Sequence, residues 1–341
     1  MQYPYYNDEP YWGIFSDGDS YMLTRKKERA DIRKLANCVG GAVLLYLALQ
    51  YFFFFMLALL GFGELYLGSE LFRKGLEVLL IIFSILPAFM LFGKKMQKIS
   101  GEADPMLLGK PNSPLLVFLS FFAGMGACML ANYVTVFVTV LMAIFGYQIS
   151  SPDVGLPTDT AGIILTFVQV SLVAALVEEL SLRGCVMGNL KRYGKGFAIF
   201  ASALIFGLMH GNLVQAPFAL VVGLALGYFA IRTGSIWTAI LIHAGNNFYS
   251  VALSYAGEFF GDEVMMVLYY AINLIFVASG TVCFVIFQRR TKADRVAERS
   301  SSVLTNGEKI RAFLTSPVII IVIVIMLIMT LDYIAPIEAV Q

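Results

Sequence analysis

Nine runs of predominantly apolar residues dominate the chain, at about 36–62, 76–93, 115–145, 162–188, 197–211, 213–231, 234–255, 264–287 and 318–335. About 20 apolar residues suffice for a helix to cross the hydrocarbon core of a bilayer. Inside that core every backbone N–H and C=O must be bonded within the protein, which leaves helices or closed barrels. Runs this long and continuous select helices. The expected fold is all-α, a polytopic transmembrane helix bundle of about 8–9 membrane spans. The charge content agrees: 14% of residues are charged and 59% are hydrophobic, against about 25% charged in a typical soluble domain.

Basic residues orient the runs. Arg25-Lys26-Lys27-Glu28-Arg29 precedes the first, Lys94-Lys95-Met96-Gln97-Lys98 follows the second, and Lys191-Arg192 with Lys195 follows the fourth. Arg232 ends the sixth, and Gln288-Arg289-Arg290-Thr291-Lys292 follows the eighth. With nine spans all five clusters fall on one side, and the loops 146–160 and 256–263, without Lys or Arg, fall on the other. Arg73 and Lys74 are the exception. Cytoplasmic loops carry the Lys/Arg excess, so the expectation is a multi-pass protein of the cell membrane with its N-terminus cytoplasmic and its C-terminus outside. Residues 1–24 lack the basic start and short apolar core of a cleavable signal peptide.

Four segments follow from this pattern. They are a cytoplasmic N-terminal segment at 1–35, N-terminal membrane helices at 36–158, a membrane core at 159–256, and C-terminal membrane helices at 257–341 with a cytoplasmic loop near 288–315. The net charge of +1 gives no footprint for nucleic acid. Cys38, Cys128, Cys185 and Cys283 form no CxxC pair and read as small hydrophobes.

The fourth run contains Glu178-Glu179-Leu180-Ser181-Leu182-Arg183. Each charge in a membrane helix costs roughly 2.5–3.5 kcal/mol on insertion scales, so such groups are paired, solvated or used. Glu179 and Arg183 are four residues apart in the favourable order for an ion pair. Glu178, turned about 100° away, is left free for chemistry. The only two histidines, His210 and His243, also lie in apolar runs. At about 1.5 Å per residue, Glu178 lies about 15 Å and His243 about 14 Å from the basic ends of their runs, with Asn247 and His210 about 20 Å in. These side chains therefore share one layer of the bilayer. His243 and Asn247, four apart, share a helix face. The Gly207xxxGly211 and Gly223xxxGly227 spacings read as close helix packing.

Three motifs result in order: EExxxR at 178–183, FxxxH at Phe206–His210 and HxxxN at His243–Asn247. In type, spacing and order they resemble the CPBP family (CAAX proteases and bacteriocin-processing enzymes, also called the ABI family), over about a quarter of the chain. The resemblance implies an intramembrane endopeptidase similar to type II CAAX prenyl endopeptidases, acting on a membrane-associated peptide or protein in the bilayer. It implies Glu178 as general base, His210 as its partner on the attacking water, and His243 with Asn247 as donors to the oxyanion. The residue spacing itself assigns Glu179–Arg183 to a supporting ion pair. A site in a cavity among the fourth to seventh runs, open to water on one side, is expected.

The family has also been labelled as metalloprotease, and with zinc the ligands would be Glu178, His210 and His243. Without HExxH, and with an amide as a poor zinc ligand, metal-independent water activation is the preferred expectation. Site-2-type, rhomboid and presenilin-type enzymes are disfavoured, because neither HExxH, GxSG nor GxGD occurs. Two readings of other classes stand beside the peptidase: a transporter or proton-coupled carrier using Glu178 and the histidines as a relay, and a non-catalytic immunity or scaffold member of the same family.

Overall fold

The computed structural model describes residues 18–152, 155–291 and 302–337. It is a helical bundle of eleven helices among the described residues. In chain order these are α1 (Gly18–Leu59), α2 (Gly63–Gly68), α3 (Glu70–Ser100), α4 (Pro114–Ile144), α5 (Thr160–Tyr193) and α6 (Lys195–Met209). Then come α7 (Ala216–Thr233), α8 (Ile236–Phe260), α9 (Asp262–Arg290), α10 (Asn306–Leu314) and α11 (Pro317–Leu331). The strands β1 (Tyr147–Ile149) and β2 (Ile334–Pro336) pair antiparallel, Gln148 opposite Ala335. They tie the end of the chain to the loop after α4.

Six helices (α1, α3, α4, α5, α7 and α9) are long and apolar enough to cross a membrane. A seventh is counted if α10 and α11, bent by 70°, form one span. This is below the 8–9 spans expected from the apolar runs. Two runs account for the difference. Helix α6 has only 15 residues, and α8 carries His243, Asn246, Asn247, Ser250, Ser254 and Glu258, which lower its hydropathy. Both nonetheless pack inside the bundle.

Helix ends follow local chemistry. Pro114 opens α4 and Pro317 opens α11, where a missing N–H costs nothing. Asp159 caps α5 by accepting from Gly162 N at 2.9 Å. Helix α7 stops at Gly234, whose φ of 70° suits only a residue without Cβ. Helix α1 starts well before the apolar run, so the basic cluster is helical. Part of the expected cytoplasmic loop is also ordered: α10 docks on α1 through Arg25–Glu308 and Arg29–Glu308 ion pairs. Residues 292–301 of that loop, and most of the segment 1–24, lie outside the described residues.

Large side chains such as Phe55, Phe83, Phe137, Val267 and Ile275 face outward, as lipid-facing positions require. The interior is built where α5, α6 and α7 meet, with Leu182, Val186, Phe197, Ala201, Ile205 and Leu226 fully or almost fully buried. Cys128 and Cys185 are buried, and Cys38 and Cys283 partly so. The exceptional Lys74 is buried too: its Nζ lies 3.3 Å from Glu77 Oε2, which also accepts from Gln169 Nε2 at 2.8 Å. The charge that broke the loop bias is thus drawn into a polar contact with α5.

Helix α5 is not regular. Its residues Val168–Ala174 and Leu180–Met187 are π-helical and flank a short α-helical segment, Ala175–Glu179. π-Helical turns are rare and concentrate at functional sites. Here they bracket the two glutamates.

Candidate active site

The adjacent carboxylates of α5 have different surroundings. Glu179 and Arg183 are fully buried, and Arg183 Nη1 donates to Glu179 Oε1 at 2.8 Å. The guanidinium is held three ways. Its Nη2 donates to the carbonyl of Gly223 on α7 at 3.1 Å, and its Cζ stands 4.7 Å over the Phe206 ring. Glu179 Oε1 is shared: His243 Nδ1 lies 2.9 Å from it. Glu179 is therefore more than half of an ion pair. It also anchors the imidazole of α8. Its second oxygen, Oε2, has no partner among the described residues.

Glu178 points elsewhere. Its side chain is 22% exposed and its Oε2 lies 3.7 Å from His243 Nε2, beyond hydrogen-bond length. It lines a cavity of ≈ 610 Å³ that His210, His243, Asn246 and Asn247 also line. The cavity draws on α4 and α9 as well as α5–α8, so two more helices contribute than the apolar runs led us to expect.

Hydrogen bonds define what each ring can do. A carbonyl only accepts, so the 2.8 Å contact from His210 Nδ1 to Phe206 O places a proton on Nδ1. The neutral ring then has a lone pair at Nε2. The carboxylate of Glu179 likewise accepts a hydrogen bond from His243 Nδ1–H, so His243 offers an N–H at Nε2 only as an imidazolium. Asn247 Nδ2 donates to Val170 O at 2.9 Å, inside the first π-helical stretch, and keeps its second N–H. Asn246 Nδ2 reaches Asn247 Oδ1 at 3.4 Å.

Phe206 is the packing centre of the site. Its ring meets His210 at 5.0 Å and His243 at 5.5 Å, both edge-to-face, besides carrying Arg183. This one aromatic side chain sets the spacing of both histidines. Its presence one turn before His210 was the available sequence signal. Nothing in the spacing pointed to the carbonyls of Val170 and Gly223.

Among the described residues no three His, Cys, Asp or Glu side chains are gathered to hold a metal ion. Nδ1 of His210 and of His243 is bonded within the protein, which leaves Nε2 of each ring as the nitrogen that can meet water or a metal ion.

Residues 160–249 match the family model described as type II CAAX prenyl endopeptidase Rce1-like. Over this segment the chain is similar to the CPBP/CAAX-protease family. The match spans all three motifs of the CPBP segment and leaves α1–α4, most of α8 beyond Tyr249, and α9–α11 outside it. Neither a curated protein nor a solved structure matches the chain.

Of the four glycines in the two small-residue spacings, Gly207, Gly223 and Gly227 sit at close helix contacts and Gly211 does not. A Cβ on Gly223 would stand 3.0 Å from Ala203 Cα and 3.1 Å from Arg183 Nη2, whereas Gly211 has a φ of 62° and serves the turn after α6. Overpacking a tight contact costs typically about 1–3 kcal/mol. Gly223→Ala is expected to lower stability by about that much, read as a lower thermal midpoint in detergent. Gly211→Ala should act through turn strain alone and leave the α6–α7 contact intact.

Proposed function

We propose that the protein is an intramembrane endopeptidase that hydrolyses a membrane-associated peptide or protein by attack of an activated water. Glu178 is the general base. It faces the cavity while its neighbour is consumed in holding Arg183 and His243. His210 Nε2, with its lone pair directed by the Nδ1 bond to Phe206, is the second acceptor for the water. As the water oxygen bonds to the scissile carbonyl carbon, one water proton passes to Glu178. The carbonyl oxygen becomes an oxyanion, and Asn247 Nδ2 and the Nε2–H of a protonated His243 donate to it. Collapse of the intermediate breaks the C–N bond, and the proton on Glu178 goes to the leaving amine.

The observation that carries this reading is the convergence of three motifs from three helices on one cavity, with Glu178 as its lining carboxylate. The Rce1-like match over 160–249 supports the reaction class. A proton-coupled carrier needs a path to both faces, and the cavity lining includes no residue from the basic ends of the helices.

The test uses the full-length protein in nanodiscs, mixed with membranes from cells that lack it, with new peptide termini read by mass spectrometry. Wild type is expected to generate new termini, with or without a metal chelator, and Glu178→Gln is not. The same termini from both proteins would sink the reading. Loss of release in chelator with recovery on adding zinc would replace the water-activation scheme with a metal one.

A further inference from the structure

The bundle has two chemically distinct ends, and the cavity reaches one of them. At the first end lie the loop 146–160, the α6–α7 turn and the α8–α9 turn. Two bonds join these parts: Tyr255 OH donates to Pro157 O at 2.9 Å, and Thr135 Oγ1 donates to Val214 O at 3.0 Å. At the second end lie the α3–α4 loop, the end of α5 and the α7–α8 turn. The cavity is lined by Thr135 from the second half of α4, Thr166 from the first half of α5, Gln215 before α7, Ser254 late in α8 and Tyr269 early in α9. Every one of these positions lies toward the first end.

The second end is closed. Residues 101–113 run across it as a strap. Lys191 Nζ donates to Asp104 O at 2.7 Å, and Trp237 Nε1 donates to Leu108 O at 3.1 Å. Ser235 Oγ donates to Gly109 O at 2.6 Å, and Asn112 N to Thr233 O at 3.0 Å. At Gly188 the approach is so close that a Cβ would lie 1.6 Å from Pro105 O. Among the described residues the cavity lining includes none from this strap.

Charge separates the same two ends, with Arg73 and Lys74 near the start of α3 the exceptions. Lys98, Lys110, Lys191, Arg192, Arg232 and Arg289 mark the strapped end, while Asp159, Glu258, Asp262 and Glu263 mark the open one. The Lys/Arg excess belongs on the cytoplasmic side.

We infer that the site is served from the non-cytoplasmic face, so that its substrate is a peptide segment exposed on that side: an exported peptide, or the outer segment of a membrane-anchored protein. The substrate class rests on the peptidase reading; the sidedness does not. A lipid-modified protein held on the cytoplasmic leaflet would present its bond at the strapped end, away from the opening. The lining of the mouth mixes uncharged polar side chains (Thr135, Gln215, Ser254) with apolar ones (Val136, Val214, Leu253), which suits a peptide stretch without charged side chains at the cut.

Two measurements separate the two claims. Ser254→Cys in the mouth, Glu258→Cys at the same end and Lys98→Cys at the strapped end are labelled in intact cells with a membrane-impermeant maleimide, and again after permeabilisation. Ser254→Cys and Glu258→Cys are expected to label in intact cells, and Lys98→Cys only after permeabilisation. The reverse pattern overturns the sidedness, whatever the fate of the peptidase reading. Termini whose production depends on Glu178 are then mapped on their parent proteins. They are expected in segments on the non-cytoplasmic side. Termini in cytoplasmic segments overturn the inference and keep the peptidase; no Glu178-dependent termini overturn the peptidase and the substrate class with it, and the labelling alone decides the sidedness.

Discussion

Glu178→Gln is expected to lower peptide release by about 10²–10⁴-fold, the usual contribution of a positioned general base, while the folded protein is barely altered. The amide keeps the shape of the carboxylate and cannot take a proton from water. Glu178 is part-exposed in the cavity, and His243 Nε2 lies 3.7 Å from its Oε2. Substitutions outside tight networks usually move stability by no more than about 0.5 kcal/mol, so the unfolding midpoint in detergent should stay with wild type. Separate loss of rate and retention of fold is the signature of a residue whose task is chemical. An Asn247→Ala variant should lose less, because it removes one donor to the oxyanion and leaves the base in place.

Arg183→Met is expected to do the opposite first. Removing one partner of a buried pair costs about 3–5 kcal/mol, because the remaining charge is left uncompensated. Arg183 and Glu179 are both fully buried, and the guanidinium also bonds Gly223 O and covers the Phe206 ring. The variant should unfold well below wild type and lose activity as a consequence. Adding Glu179→Gln removes the stranded carboxylate, so the double variant should recover part of the lost stability. It should not recover activity, since His243 loses the carboxylate that orients it. Thermal unfolding and peptide release on wild type, Arg183→Met, Glu179→Gln and the double variant form the cycle. Equal stability of Arg183→Met and the double variant would show that Glu179 is not stranded by the loss of its arginine.

Much of the fold is legible in the chain. Apolar runs give helices because lipid offers the backbone no other partner, and the turn residues Pro114, Gly234 and Pro317 mark where they start and stop. The span count is less legible. Helix α6 is short and α8 is polar, because both are shaped to meet the cavity and not the lipid. The ion pair of Glu179 with Arg183 follows from four-residue spacing alone. The sharing of Glu179 with His243 does not, since it joins residues 64 positions apart on two helices. The π-helical turns of α5 leave no mark in local periodicity. They accompany a tertiary bond, Asn247 to Val170 O, that only the packed bundle makes. Phe206 stood in a motif, but its contact with Arg183 and both histidines depends on where α6 crosses α5 and α8. Lys74 stands in the sequence as an exception to the charge bias of the loops, and its buried setting beside Glu77, which Gln169 also bonds, depends on the packing of α3 on α5.

The most direct test of the central claim, that Glu178 is the working carboxylate of a peptidase, is comparative peptidomics. Cells producing wild type and cells producing Glu178→Gln at equal membrane levels are compared for released peptides and new protein termini. The account predicts a defined set of termini present with wild type and missing with Glu178→Gln. Identical peptide pools from the two, at matched protein levels, would contradict it.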